Sequence, residues 1–204
     1  MPYLVSSIIA VVTAMIILLT RYESDDSAIT SEIERTKSMF LAIDGFVNTY
    51  IQSGGDLTQI NFAELYDDGI LLGNITKGNI TSKDNVKVVT TKEMESTLNF
   101  PNSKIVWQIV PITSDDKGVK IDGVDKDFSK SAGSGYKLFI DFTKNSTLVS
   151  KDAFSESFLA REICEKILFG TSIRNATSIA TANQTITLTG GTNNDSKMLC
   201  IVFK

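Results

Sequence analysis

Cys164 and Cys200 are the side chains best placed for covalent chemistry, and they are the only cysteines in this 204-residue chain. Their separation is too wide for a redox C-x-x-C or a zinc ribbon, and with no histidine in the sequence a metal shell cannot be completed from the usual donors. A single disulfide is the simplest use for them, two separate buried thiols being the alternative. As a disulfide, the pair would close a loop of about 36 residues and stabilise the fold by roughly 3 to 4 kcal/mol. It would also place the chain in an oxidising compartment, the periplasm or the cell exterior.

The other chemistry-bearing residues lead to exclusions. There is no histidine for a triad and no G-x-S-x-G, and Gly133 to Lys137 (GSGYK) lacks the spacing of a phosphate loop, so neither an enzyme nor a cofactor is expected. Asp115, Asp116, Asp122, Asp125 and Asp127 could gather oxygens around Ca²⁺, with Asp122, Asp125 and Asp127 the candidate ligands. They miss the EF-hand spacing, and such runs are usually solvated turns, so no metal site is expected. Asn-x-Ser/Thr sequons begin at Asn74, Asn79, Asn145, Asn175, Asn183 and Asn194; a Ser/Thr-rich surface also produces these by composition alone. A net charge of only −4, with no Lys/Arg stripe interleaved with aromatics, argues against nucleic acid as a partner.

The elements that would position these residues begin with the N-terminus. From Met1 to Thr20 no side chain is charged, and Leu4, Val5, Ile8, Ile9, Val12, Ile16 and Leu19 dominate the run. As a helix it would be about 30 Å long, enough to span a bilayer. A secretory signal would open with Lys or Arg and close on a small-residue cleavage site; MPYLV and LLTRYES do neither. Only Arg21 precedes Glu23, Asp25 and Asp26, so the remainder of the chain is expected outside the cytoplasm. Ile29, Ile33, Phe40, Ile43, Val47 and Tyr50/Ile51 continue at spacings of three and four up to Gly54-Gly55, and no proline interrupts residues 3 to 53. The periodicity predicts one helix of about 50 residues and about 75 Å, apolar all round at first and on one face later. Ser6, Ala10 and Ala14 repeat every four residues, a spacing that lets helices approach closely. The chain divides into an apolar helix over 1–24, its amphipathic continuation over 25–53, and a globular α+β head over 54–204.

In the head, 56–85 reads as a polar surface loop with short turns rather than a second core. Strands are expected at Lys87–Thr91, Ser103–Ile112 and Tyr136–Thr143, the last two joined by a long glycine- and charge-rich connection. A second helix is expected from about Lys151 to Phe169, with Ser150 or Asp152 as N-cap, Phe158, Leu159, Ile163 and Ile167 on its apolar face, and Gly170 as its stop. A Ser/Thr/Ala/Asn-rich loop then leads to a strand at Thr185–Thr189 and a terminal strand, MLCIVFK, that carries Cys200. Trp107 lies in the most apolar strand and is expected in the core.

An uncharged N-terminal run extended without a break into an amphipathic helix, then an antiparallel sheet and a C-terminal cysteine loop, resembles the type IV pilins over nearly the whole chain. REICEKILFG and MLCIVFK are similar to the cysteine-bearing helix and closing strand of the type IVb branch, the toxin-coregulated and bundle-forming pilins. That resemblance implies a long N-terminal helix packed on an antiparallel sheet, with a second helix and a disulfide-bounded C-terminal region. It implies a major subunit of an extracellular pilus serving adhesion, aggregation, motility or conjugation-type contact. Met1 would be the N-terminus left by a prepilin peptidase, its amine methylated. The partners would be copies of the chain itself, the pilus assembly machinery and, before assembly, the inner membrane with the head in the periplasm. Where the family usually places a glutamate at the fifth mature position this chain has Val5, and its first carboxylate is Glu23. A minor or tip pilin, a secretion-system pseudopilin and a membrane-anchored sensor or binding domain are the alternatives.

Overall fold

The computed structural model describes residues 2–72, 75–76, 96–116, 119–121, 124–149, 161–174, 176–179, 186–188 and 196–204; within the first helix it describes the side chains of residues 12–15 and 27–52. That helix, α1, runs from Pro2 to Gln52. Its sealed face is built from Thr36, Met39, Phe40, Ile43, Val47 and Tyr50, the three- and four-residue spacing that puts side chains on one stripe. Gly54 and Gly55 end it for different reasons. Gly54 adopts a left-handed φ of 87°, which costs glycine nothing, and a Cβ on Gly55 would lie 2.5 Å from the Tyr50 ring.

The stretch that follows corrects the expectation of a surface loop. Asp56 caps a short 3₁₀ turn by accepting from the Thr58 N–H at 2.8 Å, and Asn61 caps α2 (Phe62–Asp67) by accepting from the Glu64 N–H at 2.9 Å. These turns deliver Ile60, Phe62, Leu65 and Leu71 into the same core as α1. Polar residues crowd this segment because they cap its turns, and its apolar residues are too few for a periodic signal.

The main sheet has the order β1-β2-β3-β6-β10-β7, each neighbouring pair antiparallel, with β1 Ile75–Thr76, β2 Thr97–Asn99, β3 Val106–Pro111, β6 Gly135–Asp141, β7 Thr171–Arg174 and β10 Lys197–Phe203. Two hairpins stand beside it, β4 (Val119–Ile121) with β5 (Val124–Lys126) and β8 (Ala176–Ile179) with β9 (Ile186–Leu188). One face of the sheet meets α1: Trp107 opposes Ile140, Ile109 opposes Leu138, and Met198, Cys200 and Val202 extend the rows. Trp107 is fully buried, as expected, and its ring meets Phe40 edge-on at a centroid distance of 4.9 Å. On the opposite face Val110, Lys137, Phe139, Leu199 and Ile201 are also buried, and β8 packs against β6 and β10. The sheet is thus buried at its centre on both faces, with α1 on one of them.

Several boundaries move. The connection after β3 contains the β4–β5 hairpin, and the Ser/Thr/Ala/Asn-rich stretch contains β7 and β8 where a loop is expected. Ser172 and Ile173 are buried because β7 pairs with the terminal strand, an edge position that Ser and Thr fill as well as apolar residues do. A four-residue turn, α3 (Ser146–Val149), is capped by Asn145, whose Oδ1 accepts from the Leu148 N–H at 3.1 Å. The expected second helix is described only from Arg161, with a π-helical turn at Ile163–Ile167; Ser150, Asp152, Phe158 and Leu159 lie outside the described residues, as do Lys87–Thr91.

Candidate functional site

Two halves of α1 meet different surroundings. In the second half, Phe40, Ile43 and Val47 are fully buried. In the first half Val12 is 49% and Met15 60% exposed, and Thr13 and Ala14 are exposed as well. Of the expected packing residues, Val12 is therefore uncovered by the chain's own fold. Met1 and the side chains of Leu4, Val5, Ile8, Ile9, Ile16 and Leu19 lie outside the described residues, as do those of Ser6 and Ala10. Among the described residues no helix is long and apolar enough to cross a membrane.

What fixes the second half to the head is polar as well as apolar. Asp44 accepts from the Tyr136 hydroxyl at 2.7 Å, and the same oxygen lies 2.6 Å from the Lys204 ammonium, while its other oxygen accepts from Asn48 at 3.0 Å. One carboxylate on α1 thereby gathers the start of β6 and the last residue of the chain. Burial, then the charge and hydrogen bond of Asp44, push the Tyr136 phenol well above its usual range. One turn-set earlier, Glu32 accepts from Asn145 at 2.7 Å, and Arg35 donates to the Pro101 carbonyl at 2.6 Å. Sequence reasoning missed this set. Its one visible signal is Asp44 standing directly beside Ile43 on the inward stripe.

The disulfide links Cys164 in the π-helical turn to Cys200 in β10, with Cα atoms 5.8 Å apart, and both residues are fully buried. It ties the segment before β7 to the central terminal strand. Gly170 is required there for room: a Cβ would collide with the Ile201 carbonyl oxygen and lie 3.2 Å from the Cys200 sulfur. The left-handed residue that ends the turn is Phe169, with φ of 54° and 82% exposure, so the stop expected at Gly170 falls one residue earlier.

The described aspartates do not gather. Asp116 is fully buried against Lys137, whose ammonium lies 2.7 Å from each carboxylate oxygen, so it is no solvated turn residue. Asp127 accepts from the Ser129 N–H at 3.0 Å in a local turn; Asp122 and the side chain of Asp125 lie outside the described residues. Among the described residues no group of three or more acidic, cysteine or histidine side chains could hold a metal. Asn145 is 5% exposed with both ends of its amide engaged, so its sequon is closed to a glycan in this fold; the other sequon asparagines lie outside the described residues. A cavity of about 460 Å³ beneath the end of α1 is lined by Tyr50, Gly54, Gly55, Asp56, Glu64 and Asp68 among others. Burial, with Glu64 and Asp68 nearby, pushes the Tyr50 phenol up to about 12, and its hydroxyl donates to the Asp56 carbonyl at 3.2 Å.

No protein-family model, no curated protein and no solved structure matches the chain.

Proposed function

We propose that this chain is the structural subunit of an extracellular filament of the type IV pilus class, in which the first half of α1 packs against the same segment of neighbouring copies. The observation that carries the reading is the exposure of Val12 and Met15 on a helix whose continuation is sealed into the head. Apolar surface left in water costs about 25 cal/mol per Å², so a run with this composition is stabilised by whatever covers it. The order of elements and the resemblance of the cysteine region favour copies of the chain as that cover. On this reading the inner membrane holds the helix before assembly, and a prepilin peptidase and assembly machinery act on it there.

The head has a mechanical part in this reading. Asp44 joins α1 to Tyr136 on β6 and to Lys204 after β10, and the Cys164–Cys200 bond ties β10 to the segment before β7, so a load on the helix reaches strands that are themselves cross-linked. Val5, standing where the family's glutamate usually stands, favours a second reading as a low-copy tip or minor subunit. The share of the chain in sheared filaments separates the two, since a major subunit dominates them. Replacing Val12 with Asp tests the proposal: filaments should vanish from electron micrographs while the head's thermal transition stays in place. Normal filaments from the variant would overturn it.

A further inference from the structure

Lys137 and Asp116 meet in a setting that fits chemistry beyond an ion pair. Lys137 sits on β6 with Val110 and Ile201 directly opposite on the neighbouring strands, all three on the face turned away from α1 and all sealed from water. Its nitrogen is 2.7 Å from both oxygens of Asp116. Asp116 is held from several sides: its N–H donates to the Thr113 carbonyl at 3.2 Å, its carbonyl accepts from the Phe128 N–H at 3.0 Å, and its Oδ2 accepts from the Thr113 N–H at 2.8 Å and the Thr113 hydroxyl at 3.3 Å.

We infer that Lys137 and Asp116 form an intramolecular amide, a covalent cross-link between β6 and the loop after β3. The pair holds the parts such a condensation needs: an amine, a carboxyl carbon beside it, donors aimed at one oxygen, and exclusion of water. Burial lowers the proton affinity of the Lys137 amine against the pull of Asp116 and Asp115, which favours its neutral, nucleophilic form. One proton passes from the ammonium to Oδ1, leaving a neutral amine and a carboxylic acid. The nitrogen lone pair then attacks Cγ, and the developing charge on Oδ2 falls under the two Thr113 donors. As the C–Oδ1 bond breaks, that oxygen takes the second nitrogen proton and leaves as water. The ammonium and carboxylate become one amide and one water, with no change of oxidation state and no further reactant. The product also removes two buried charges, whose desolvation otherwise opposes folding.

Mass spectrometry of the reduced, denatured full chain tests this. The expected mass is one water below that of the sequence, and digestion after lysine should yield a branched peptide joining the segments around Asp116 and Lys137. Lys137→Arg should restore the full mass. Should that variant fail to fold, Asp116→Asn offers a second route: it should lose ammonia in place of water and reach the wild-type mass. A wild-type chain at full mass, or a water loss mapped elsewhere, overturns the inference.

Discussion

The two halves of α1 share one backbone, yet among the side chains described only those of the second half find their cover within the chain. Phe40, Ile43 and Val47 are sealed against Trp107 and the strands behind it, whereas Val12 and Met15 stand in the open. The difference lies in what surrounds the apolar residues. In the second half they form a stripe flanked by Glu32, Arg35, Asp44 and Asn48, which find polar partners in the head or on the helix itself. In the first half the sequence offers no charged residue from Met1 to Thr20, so no side of the helix is marked for solvent. A helix apolar all round is buried somewhere, and residues 12–15, the described part of this run, are not buried by the chain's own head.

The largest difference between the halves is expected at Phe40. Truncating it to alanine should cost the head about 3 to 5 kcal/mol, whereas Met15→Ala should move head stability by no more than about 0.5 kcal/mol, both read by chemical denaturation. Equal losses at the two positions would show that the halves are not distinct. Reducing the Cys164–Cys200 bond should destabilise the head by roughly 3 to 4 kcal/mol while leaving the exposure of Met15 unchanged, which calorimetry with and without reductant can follow. Alkaline pH should act on the sealed half alone. The Tyr50 phenol ionises at 10.0 in an unfolded chain and at about 12 when folded, and Tyr136 is raised too. Their stabilisation is full below pH 10 and lost as pH climbs toward 12, and Lys137, held as an amide, adds nothing to the change. The smallest effect sharpens the picture of the outer face: Gly45 has nothing within 4 Å of an added Cβ, and Gly45→Ala should raise the unfolding free energy of the dispersed chain by about 1 kcal/mol.

How far the sequence could be read depended on how regular each burial pattern was. Ile33 to Ile51 repeats at three and four, and the stripe it marks is the one that packs on the sheet. The paired cysteines followed from composition and distance. Three things escaped besides the polar contacts of α1. Ile60, Phe62, Leu65 and Leu71 were hidden among capping residues, because Asp56 and Asn61 read as loop until their hydrogen bonds are seen. Buried Ser172 and the strand around it look like a polar linker, since an edge strand pairs through its backbone whatever its side chains. Lys137 gave no sign of burial, because a lysine inside a strand normally marks the solvent face, and Asp116, brought in from the loop after β3, offsets the cost of its burial.

The most direct test uses two methionines as probes of the two halves. Peroxide oxidation of detergent-free material sheared from the cell surface, read peptide by peptide, compares Met15, at 60% exposure in the isolated chain, with Met39, at 5%. Burial of the first half by neighbouring copies predicts that both resist oxidation in that material. Rapid oxidation of Met15 beside an intact Met39 would contradict it.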